Sequence, residues 1–285
     1  MIESAQLMDK YAELIKLLRT FPSLLVTFSG GVDSTLLLAA ALEALGTEKV
    51  VAVTALSPTF PAYEAAAART IARDLGVRHL EVETHELDLP EVLANGSQRC
   101  YYCKKERLRA CRTLADQLGL AVIVDGTNQD DAPDERPGMR ALAEFGVLSP
   151  LREVALRKDE IRVISRHLGL ATAEKPSLAC LATRIPTGTP ISLSRLARIE
   201  ICETELHALE LRAYRARDHG DLVRIEVAPD EIERFADPVL RQAVVAAGIA
   251  AGFTYVALDL QGYRTGSMDP QPEKNVEPFP TEKIE

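Results

Sequence analysis

The stretch from Leu24 to Ala40, LLVTFSGGVDSTLLLAA, constrains the fold of this chain more than any other segment. It combines an apolar strand, a short turn with two glycines and an apolar helix in direct succession. Gly30 and Gly31 let the backbone approach a ligand closely, and the unpaired N–H groups at a helix start attract an anion. The turn lacks the lysine of the Walker loop and the glycine spacing of the dinucleotide-binding turn. We therefore predict a phosphate cradle at the carboxyl end of a buried strand.

Short apolar runs alternate with helical segments through the first two thirds of the chain. This alternation is typical of a parallel sheet covered by helices, so we predict an α/β domain over residues 1–190 with helices on both faces of the sheet. The predicted strands are Leu24–Phe28, Val50–Ala55, His79–Val82 and Ala121–Gly126. The predicted helices are Ser34–Leu45, Tyr63–Leu75, Lys104–Leu118 and Lys158–Leu168, each followed by a glycine.

The order of the elements changes near residue 191. A helix, two strands, a second helix and a third strand follow one another there, which predicts a smaller C-terminal α+β lobe over residues 191–268. We expect this α-β-β-α-β lobe to serve substrate binding or oligomerisation. Residues 269–285 contain several prolines and no periodicity, so this tail is predicted to be mobile.

The charge and the cysteine content restrict which partners and which cellular compartment the protein is expected to have. Its 33 Lys and Arg residues face 42 Asp and Glu residues, and the net charge of −9 disfavours a nucleic acid. The first ten residues lack the basic and apolar run of a secretory signal, and no uncharged apolar stretch is long enough for a membrane span. The five cysteines are an odd number. We therefore expect a cytoplasmic protein whose thiols are ligands or reagents rather than disulfides.

Three of the cysteines form a pattern that suits metal binding. Cys100 and Cys103 lie one helical turn apart in CYYC, and Cys180 lies far along the chain. Three thiolates suit three corners of a [4Fe–4S] cluster whose fourth iron stays open to sulfide, or three positions on zinc. A structural zinc would need a fourth ligand, for which His79 and His85 are the candidates. Unrelated buried thiols are the alternative, because CxxC is short. The other two cysteines lie in apolar helical stretches and are assigned to packing: Cys111 and Cys202.

Several segments resemble known families. SGGVDS resembles the PP-loop signature of the ATP pyrophosphatase superfamily, which implies the fold of the adenine nucleotide alpha hydrolases and the conversion of ATP into AMP and pyrophosphate. Further segments resemble, in chain order, the LarE-type pyridinium-3,5-biscarboxylate mononucleotide sulfur transferases. They are CYYCKKE, VIVDGTNQDD, RPGMRAL, SPLREVALRKDEIRVISRHLGL, KPSLACLATRIPTG, RAYRARDHGDLVRIEV and TYVALDLQGYRTGSM. Together they cover nearly the whole chain.

The LarE resemblance implies an ATP-dependent sulfur transferase that makes the nickel-pincer cofactor of lactate racemase. Its members adenylate a carboxylate of a pyridinium mononucleotide and convert it into a thiocarboxylate, and some sacrifice one cysteine at the position of Cys180. This chain departs from that pattern because it also carries Cys100 and Cys103, which resembles the branch with a [4Fe–4S] cluster. The implied cofactors are ATP, Mg²⁺ and that cluster, with sulfide or another sulfur donor as co-substrate. A homo-oligomer is compatible with this assignment.

The resemblance also implies site residues, in three groups. ATP and Mg²⁺ are expected at Ser29, Gly30, Gly31, Asp33, Ser34, Thr35, Thr54, Gly126, Thr127 and Asp130. The mononucleotide is expected at Arg184, Glu203, Arg215 and Arg217, since guanidinium pairs bidentately with phosphate. The cluster is expected at Cys100, Cys103 and Cys180. Asp33, as the metal contact, and Cys180 are the expected catalytic residues. The ordinary alternatives are a capped turn around Gly126 and solvated arginines and glutamates.

Other functions fit part of this pattern. A tRNA thiolase of the same superfamily can carry three cysteines, but it should show a basic stripe or an added RNA-binding module. An amidating synthetase has no use for three cysteines. A non-catalytic nucleotide-sensing module would keep the phosphate cradle without converting ATP into AMP and pyrophosphate.

Overall fold

The computed structural model describes residues 2–131, 137–176, 179–264 and 266–268. Its larger part is an α/β unit that begins with a helix. The strands are β1 (Leu24–Thr27), β2 (Val50–Leu56), β3 (Arg78–Glu83) and β4 (Val122–Val124). The helices are α1 (Ile2–Leu18), α2 (Val32–Leu45), α3 (Ala62–Asp74), α4 (Pro90–Leu93), α5 (Arg99–Leu118), α6 (Pro137–Glu144), α7 (Pro150–Glu153) and α8 (Lys158–His167).

The four strands form one parallel sheet in the order β3-β2-β1-β4. Alternate residues of the short central strand point to opposite faces. Leu24 and Val26 pack in a core with residues of α1, α2 and α8, whereas Leu25 packs with residues of α5 and α6. Helices therefore cover both faces, which confirms the predicted α/β class and its parallel sheet.

The C-terminal lobe contains α9 (Leu193–Ala208), β5 (Tyr214–His219), β6 (Leu222–Val227), α10 (Pro238–Ala250) and β7 (Tyr255–Leu258). β5 and β6 pair antiparallel, and β7 pairs with β6 in parallel because α10 carries the chain back across the sheet. Cys202 lies in the core of this lobe, as predicted, with Ala216 and Ile225. A further apolar cluster joins the lobe to the larger unit, with Leu181 packing against Leu196 and Ile199 of α9.

The sequence pattern missed some elements. Helix α1 and helix α6 were not predicted, and α5 begins at Arg99, which places CYYC inside the first turns of the helix. The predicted domain limits, 1–190 and 191–268, stay predictions. The predicted mobile tail, 269–285, lies outside the described residues. Within the described ranges, no helix is both long and apolar enough to cross a membrane.

Candidate active site

The turn between β1 and α2 is built for a close approach to a ligand. Gly30 has a φ of +70°, and a Cβ there would lie 3.1 Å from Cα of Ala68 on α3, so only glycine fits. The hydroxyls of Ser29 and Ser34 lie 3.2 Å apart, and Ser34 Oγ donates to the Gly31 carbonyl at 3.2 Å. No side chain caps the start of α2. Its first N–H groups are therefore available to an anion.

A cavity of about 660 Å³ opens at the carboxyl ends of β1, β2 and β4. This is where ligands of open α/β sheets bind. The predicted residues on its wall are Ser29, Asp33, Ser34, Thr54, Gly126, Thr127, Cys100, Cys103 and Cys180. One cavity thus brings together the glycine turn, the end of β4 and all three predicted cluster ligands.

Asp33 lies at the centre of the polar contacts around the turn. Its carboxylate accepts a hydrogen bond from Asn128 Nδ2 at 3.2 Å and forms an ion pair with Lys158 Nζ at the start of α8. Gly126 lies directly behind, since a Cβ there would be 3.0 Å from the backbone nitrogen of Ser34. Lys158 is a site residue that the sequence analysis missed, although it stands in the motif segment RKDEIR.

Other predicted ATP residues have mainly local partners. Thr54 is buried, and its hydroxyl donates to the Phe28 carbonyl at 2.7 Å and lies 2.8 Å from His79 Nε2. Burial lowers the pKa of His79. Thr35 is buried behind the turn. Asp130 is exposed and accepts the backbone N–H of Lys158 at 2.8 Å, whereas its neighbour Asp131 lies on the cavity wall.

The end of β4 is held by Asp125, which is also on the cavity wall. Its carboxylate accepts hydrogen bonds from the hydroxyls of Thr127 and Ser149, both at 2.7 Å, and lies 3.2 Å from Lys104 Nζ on α5. Thr127 is therefore oriented by a capped turn, and the same turn faces the cavity.

The three cysteines approach the cavity from two directions. Cys100 and Cys103 lie in the first turns of α5, and Cys180 precedes the 3-10 turn Leu181–Arg184. Burial raises the pKa of Cys103 to about 12, and its thiol lies 3.8 Å from a carboxylate oxygen of Glu86. Cys111 is buried, as predicted for packing, and contributes to the same wall.

The structure also bears on the kind of metal that these thiols could hold. In the part of the chain that the structure describes, no three His, Cys, Asp or Glu side chains are grouped for a single metal ion. His79, a candidate fourth zinc ligand, instead contacts Thr54. A cubane cluster spaces its thiolates further apart than a single ion does, since each thiolate binds a different iron.

Basic side chains surround the thiols, and the sequence analysis missed them. Arg99, Cys103 and Arg107 follow at intervals of four residues on α5 and so share one helix face. Arg107 forms an ion pair with the fully buried Glu86 at 2.8 Å. Burial raises the pKa of Glu86, but Arg107 and hydrogen bonds from Ser57 and Thr84 outweigh that effect and hold the pKa below its usual value.

The residues predicted to bind the mononucleotide lie outside this cavity wall. Arg184, 1% exposed, makes two bonds of 2.9 Å to the carboxylate of the fully buried Glu203. Arg217 forms a buried ion pair with Glu226 at 2.7 Å. Arg215 is buried, with its guanidinium 4.9 Å from the centre of the Tyr263 ring. The predicted phosphate contacts of these residues stay predictions.

Arg184 also contacts the backbone of the segment that carries Cys180. Its guanidinium donates to the carbonyls of Ala179 at 2.8 Å and Cys180 at 3.0 Å. Arg217 donates to the carbonyl of Thr183 at 3.0 Å, and the N–H of Leu181 donates to the carbonyl of Thr59 at 2.8 Å. The turn that carries Cys180 is thus held by side chains of the C-terminal lobe and by the backbone of the larger unit.

The parallel sheet, the uncapped glycine turn and the acidic residues beside it define a PP-loop enzyme that uses ATP. Residues 14–97 match the family model described as asparagine synthase. The chain is 34% identical over 268 residues, 93% of this chain and 95% of the relative, to the pyridinium-3,5-bisthiocarboxylic acid mononucleotide synthase of Lactiplantibacillus plantarum. It is also 40% identical over 245 residues to an uncharacterised protein of Synechocystis sp., covering 86% and 91% of the two chains. An uncharacterised protein of Methanocaldococcus jannaschii is 27% identical over 242 residues, with 85% and 91% covered.

The chain belongs to the LarE-type family. The predicted family and the predicted ATP-dependent sulfur-transferring enzyme are therefore confirmed.

Proposed function

We propose that the chain converts carboxylates of pyridinium-3,5-biscarboxylic acid mononucleotide into thiocarboxylates, as a step in the synthesis of the nickel-pincer cofactor. The observation that carries this proposal is the single cavity that holds the glycine turn and the three thiols Cys100, Cys103 and Cys180. The family membership supports it, because the relative from Lactiplantibacillus plantarum is named as a synthase of the bisthiocarboxylic acid mononucleotide.

The first half of the reaction uses the glycine turn. A substrate carboxylate oxygen attacks the α-phosphorus of ATP, the bond to the β-phosphate oxygen breaks, and pyrophosphate leaves with the electron pair. The N–H groups at the start of α2 would receive the pyrophosphate, and Lys158 would neutralise part of its charge. Mg²⁺ would bind Asp33, with Asp131 on the same wall as a further oxygen ligand.

The second half replaces the activated oxygen by sulfur. Hydrosulfide attacks the carbonyl carbon of the acyl adenylate, the bond from that carbon to the phosphate oxygen breaks, and AMP leaves with the electron pair. The product is a thiocarboxylate, and the proton of hydrosulfide passes to solvent. Because the thiols share the cavity with the turn, the sulfur and the activated carbonyl need not move between separate sites.

The donor set suits a [4Fe–4S] cluster bound by Cys100, Cys103 and Cys180. Two thiols one turn apart and a third from another segment provide three ligands and leave one iron open. When bound, the cluster would supply an iron that carries sulfide. Metal binding would deprotonate Cys103, whose raised pKa keeps the free thiol neutral at pH 7.

For the C-terminal lobe we propose two roles. Arg215 and Arg217 would contribute to binding of the mononucleotide phosphate, as the family resemblance implies. Arg184 and Glu203 would in addition position Cys180, because Arg184 bonds to its backbone carbonyl.

Iron analysis of cysteine variants tests the cluster and the function together. The unaltered chain and Cys100→Ala, Cys103→Ala and Cys180→Ala would be purified without oxygen and assayed for iron, sulfide, visible absorbance and conversion of ATP into AMP. We expect each substitution to remove the cluster absorbance and thiocarboxylate formation. Cys202→Ala, at a buried cysteine of the C-terminal lobe that is not on the cavity wall, is the control and should keep both. The intact-protein mass after turnover shows whether Cys180 has lost its sulfur. Activity in Cys100→Ala together with dehydroalanine at position 180 would contradict the cluster proposal and establish a sacrificial cysteine.

A further inference from the structure

The cavity has a different charge at each of its two ends. At the glycine turn its wall carries the carboxylates of Asp33, Asp125 and Asp131, of which Asp33 pairs with Lys158 and Asp125 with Lys104. At the thiols its wall carries the guanidinium groups of Arg99 and Arg107. The charged side chains at the first end are therefore more negative in sum than those at the second, and they favour an anion beside the thiols.

Only part of the positive charge at the thiol end is neutralised within the described chain. Arg107 is paired with the carboxylate of Glu86. For Arg99, no ion pair with a carboxylate occurs among the described residues; its guanidinium donates to Asn95 Oδ1 and, at 3.2 Å, to the Ala182 carbonyl. The excess positive charge beside the thiols thus belongs to Arg99.

Arg99 is held in place rather than solvated. Asn95 is 1% exposed, and its amide nitrogen lies 2.9 Å from the Pro186 carbonyl and 3.0 Å from the Thr189 carbonyl. Those contacts leave the amide oxygen to face Arg99. The other guanidinium nitrogen, Nη2, lies 3.7 Å from Cys100 Sγ. A half-buried cation is therefore fixed at the thiols before any ligand binds.

We propose that Arg99 is the binding residue for the sulfur co-substrate, a small sulfur anion of the hydrosulfide class, which it holds beside Cys100 and Cys180. This inference rests on the proposed function and adds a protein residue to the site that receives the sulfur. A guanidinium with one edge fixed by Asn95 and Ala182 presents its remaining N–H groups to an anion at low entropic cost. A carboxylate of the mononucleotide is the competing occupant, and the experiments below separate the two.

The first experiment measures anion attraction at the thiols without using the reaction. The reduced, full-length chain is freed of iron by chelation and alkylated at one pH with iodoacetate, an anion, or with neutral iodoacetamide, and the rates at Cys100 and Cys180 are read by peptide mass spectrometry. The ratio of the two rates cancels the thiolate fraction, which is common to both reagents. We expect Arg99→Gln to lower the iodoacetate-to-iodoacetamide ratio by about threefold or more, since one nearby positive charge is lost.

Two further variants make this result decisive. Arg99→Lys keeps the charge and should restore most of the ratio, which excludes a folding defect as the cause. Arg109→Gln is the matched control, because Arg109 lies on the same helix, is 69% exposed and pairs with Glu106. An unchanged ratio in Arg99→Gln would overturn the proposal.

The second experiment separates the two occupants. We expect Arg99→Gln to raise the KM for sulfide about fivefold or more while the KM for the mononucleotide changes less than twofold. The reverse pattern would place the guanidinium on a substrate carboxylate and overturn the hydrosulfide assignment. If the unaltered chain forms no sulfide-dependent product, the proposed function fails, and the alkylation ratio alone then decides whether Arg99 attracts an anion.

Discussion

Replacing Glu203 by Gln would test whether the Arg184–Glu203 pair holds the Cys180 turn. Glu203 is fully buried and accepts both bonds from Arg184 as well as the backbone N–H of Ala216 at 3.0 Å. Glutamine keeps the size of the side chain and one hydrogen-bond acceptor, but it removes the negative charge. The guanidinium of Arg184, 1% exposed, would then be a buried charge without its counter-ion.

The expected loss of stability follows from that uncompensated charge. Breaking a buried ion pair by removing one partner costs about 3–5 kcal/mol. An unfolding entropy of roughly 2.1 cal/mol/K per residue gives about 0.6 kcal/mol/K for a chain of this length. The Tm should therefore fall by about 5–8 °C if the chain unfolds as one cooperative unit.

Thermal unfolding and alkylation of Cys180 together provide the assay. Because Arg184 bonds to the Ala179 and Cys180 carbonyls, we expect Glu203→Gln also to speed alkylation of Cys180 by iodoacetamide. The double variant Arg184→Met with Glu203→Leu removes both charges and should recover part of the lost Tm, since the Ala216 N–H still loses its acceptor. A Tm within about 1 °C of the unaltered chain, combined with weakened mononucleotide binding, would refute this reasoning and place the pair on the substrate.

Further predictions concern the nucleotide end of the cavity and one half-buried histidine. Gly126→Ala should weaken ATP binding roughly tenfold, because the new Cβ would lie 3.0 Å from the backbone nitrogen of Ser34. The control Gly96→Ala, with no atom within 4 Å of its Cβ, should bind ATP normally. Equal ATP affinities of the two variants, measured by calorimetry, would contradict this expectation. Asp33→Ala should abolish Mg²⁺-dependent AMP formation while the exposed Asp116→Ala retains it; unchanged adenylation in Asp33→Ala would remove Asp33 from the metal site. Since burial lowers the pKa of His79, the unfolded chain binds a proton first on acidification, and stability should fall as the pH drops below about 6.5. His79→Gln should therefore show a smaller fall in Tm between about pH 7 and pH 5.5 than the exposed control His167→Gln, and equal slopes would show that His79 titrates alike in both states.

The sequence predicted those strands and helices whose residue patterns are complete within a short stretch of chain. The apolar strand before Ser29 and the helix after Gly31 are visible in a window of 17 residues, and the glycines that follow the helices mark their ends. Helix α6 was missed because its eight residues are too few to show a helical period, although the motif segment RPGMRAL covers most of it. Its start at Pro137, a favoured residue for the first helical position, was the available signal.

Within the site, the sequence predicted residues that lie in continuous motifs and missed those that meet across the fold. Ser29, Asp33 and Gly126 lie on the cavity wall as expected. The contact of Lys158 with Asp33 joins residues 125 positions apart, and no sequence pattern near either residue predicts it. Likewise, a single sequence shows Arg184 and Glu203 as two charged residues, and only the fold reveals that they neutralise each other. Arg99, directly before CYYC, could have been suspected from its place in that motif.

The attachment of the Cys180 turn has a consequence for how this architecture can diversify. The larger unit holds the nucleotide turn, while Arg184 ties the Cys180 turn to Glu203 of the C-terminal lobe, and Arg217 of that lobe, itself paired with Glu226, donates to the Thr183 carbonyl. A C-terminal lobe exchanged for that of a distant relative would therefore change the contacts that place Cys180 and leave the nucleotide turn as it was. Recombination at this junction would move Cys180 relative to the nucleotide turn without altering the residues of that turn.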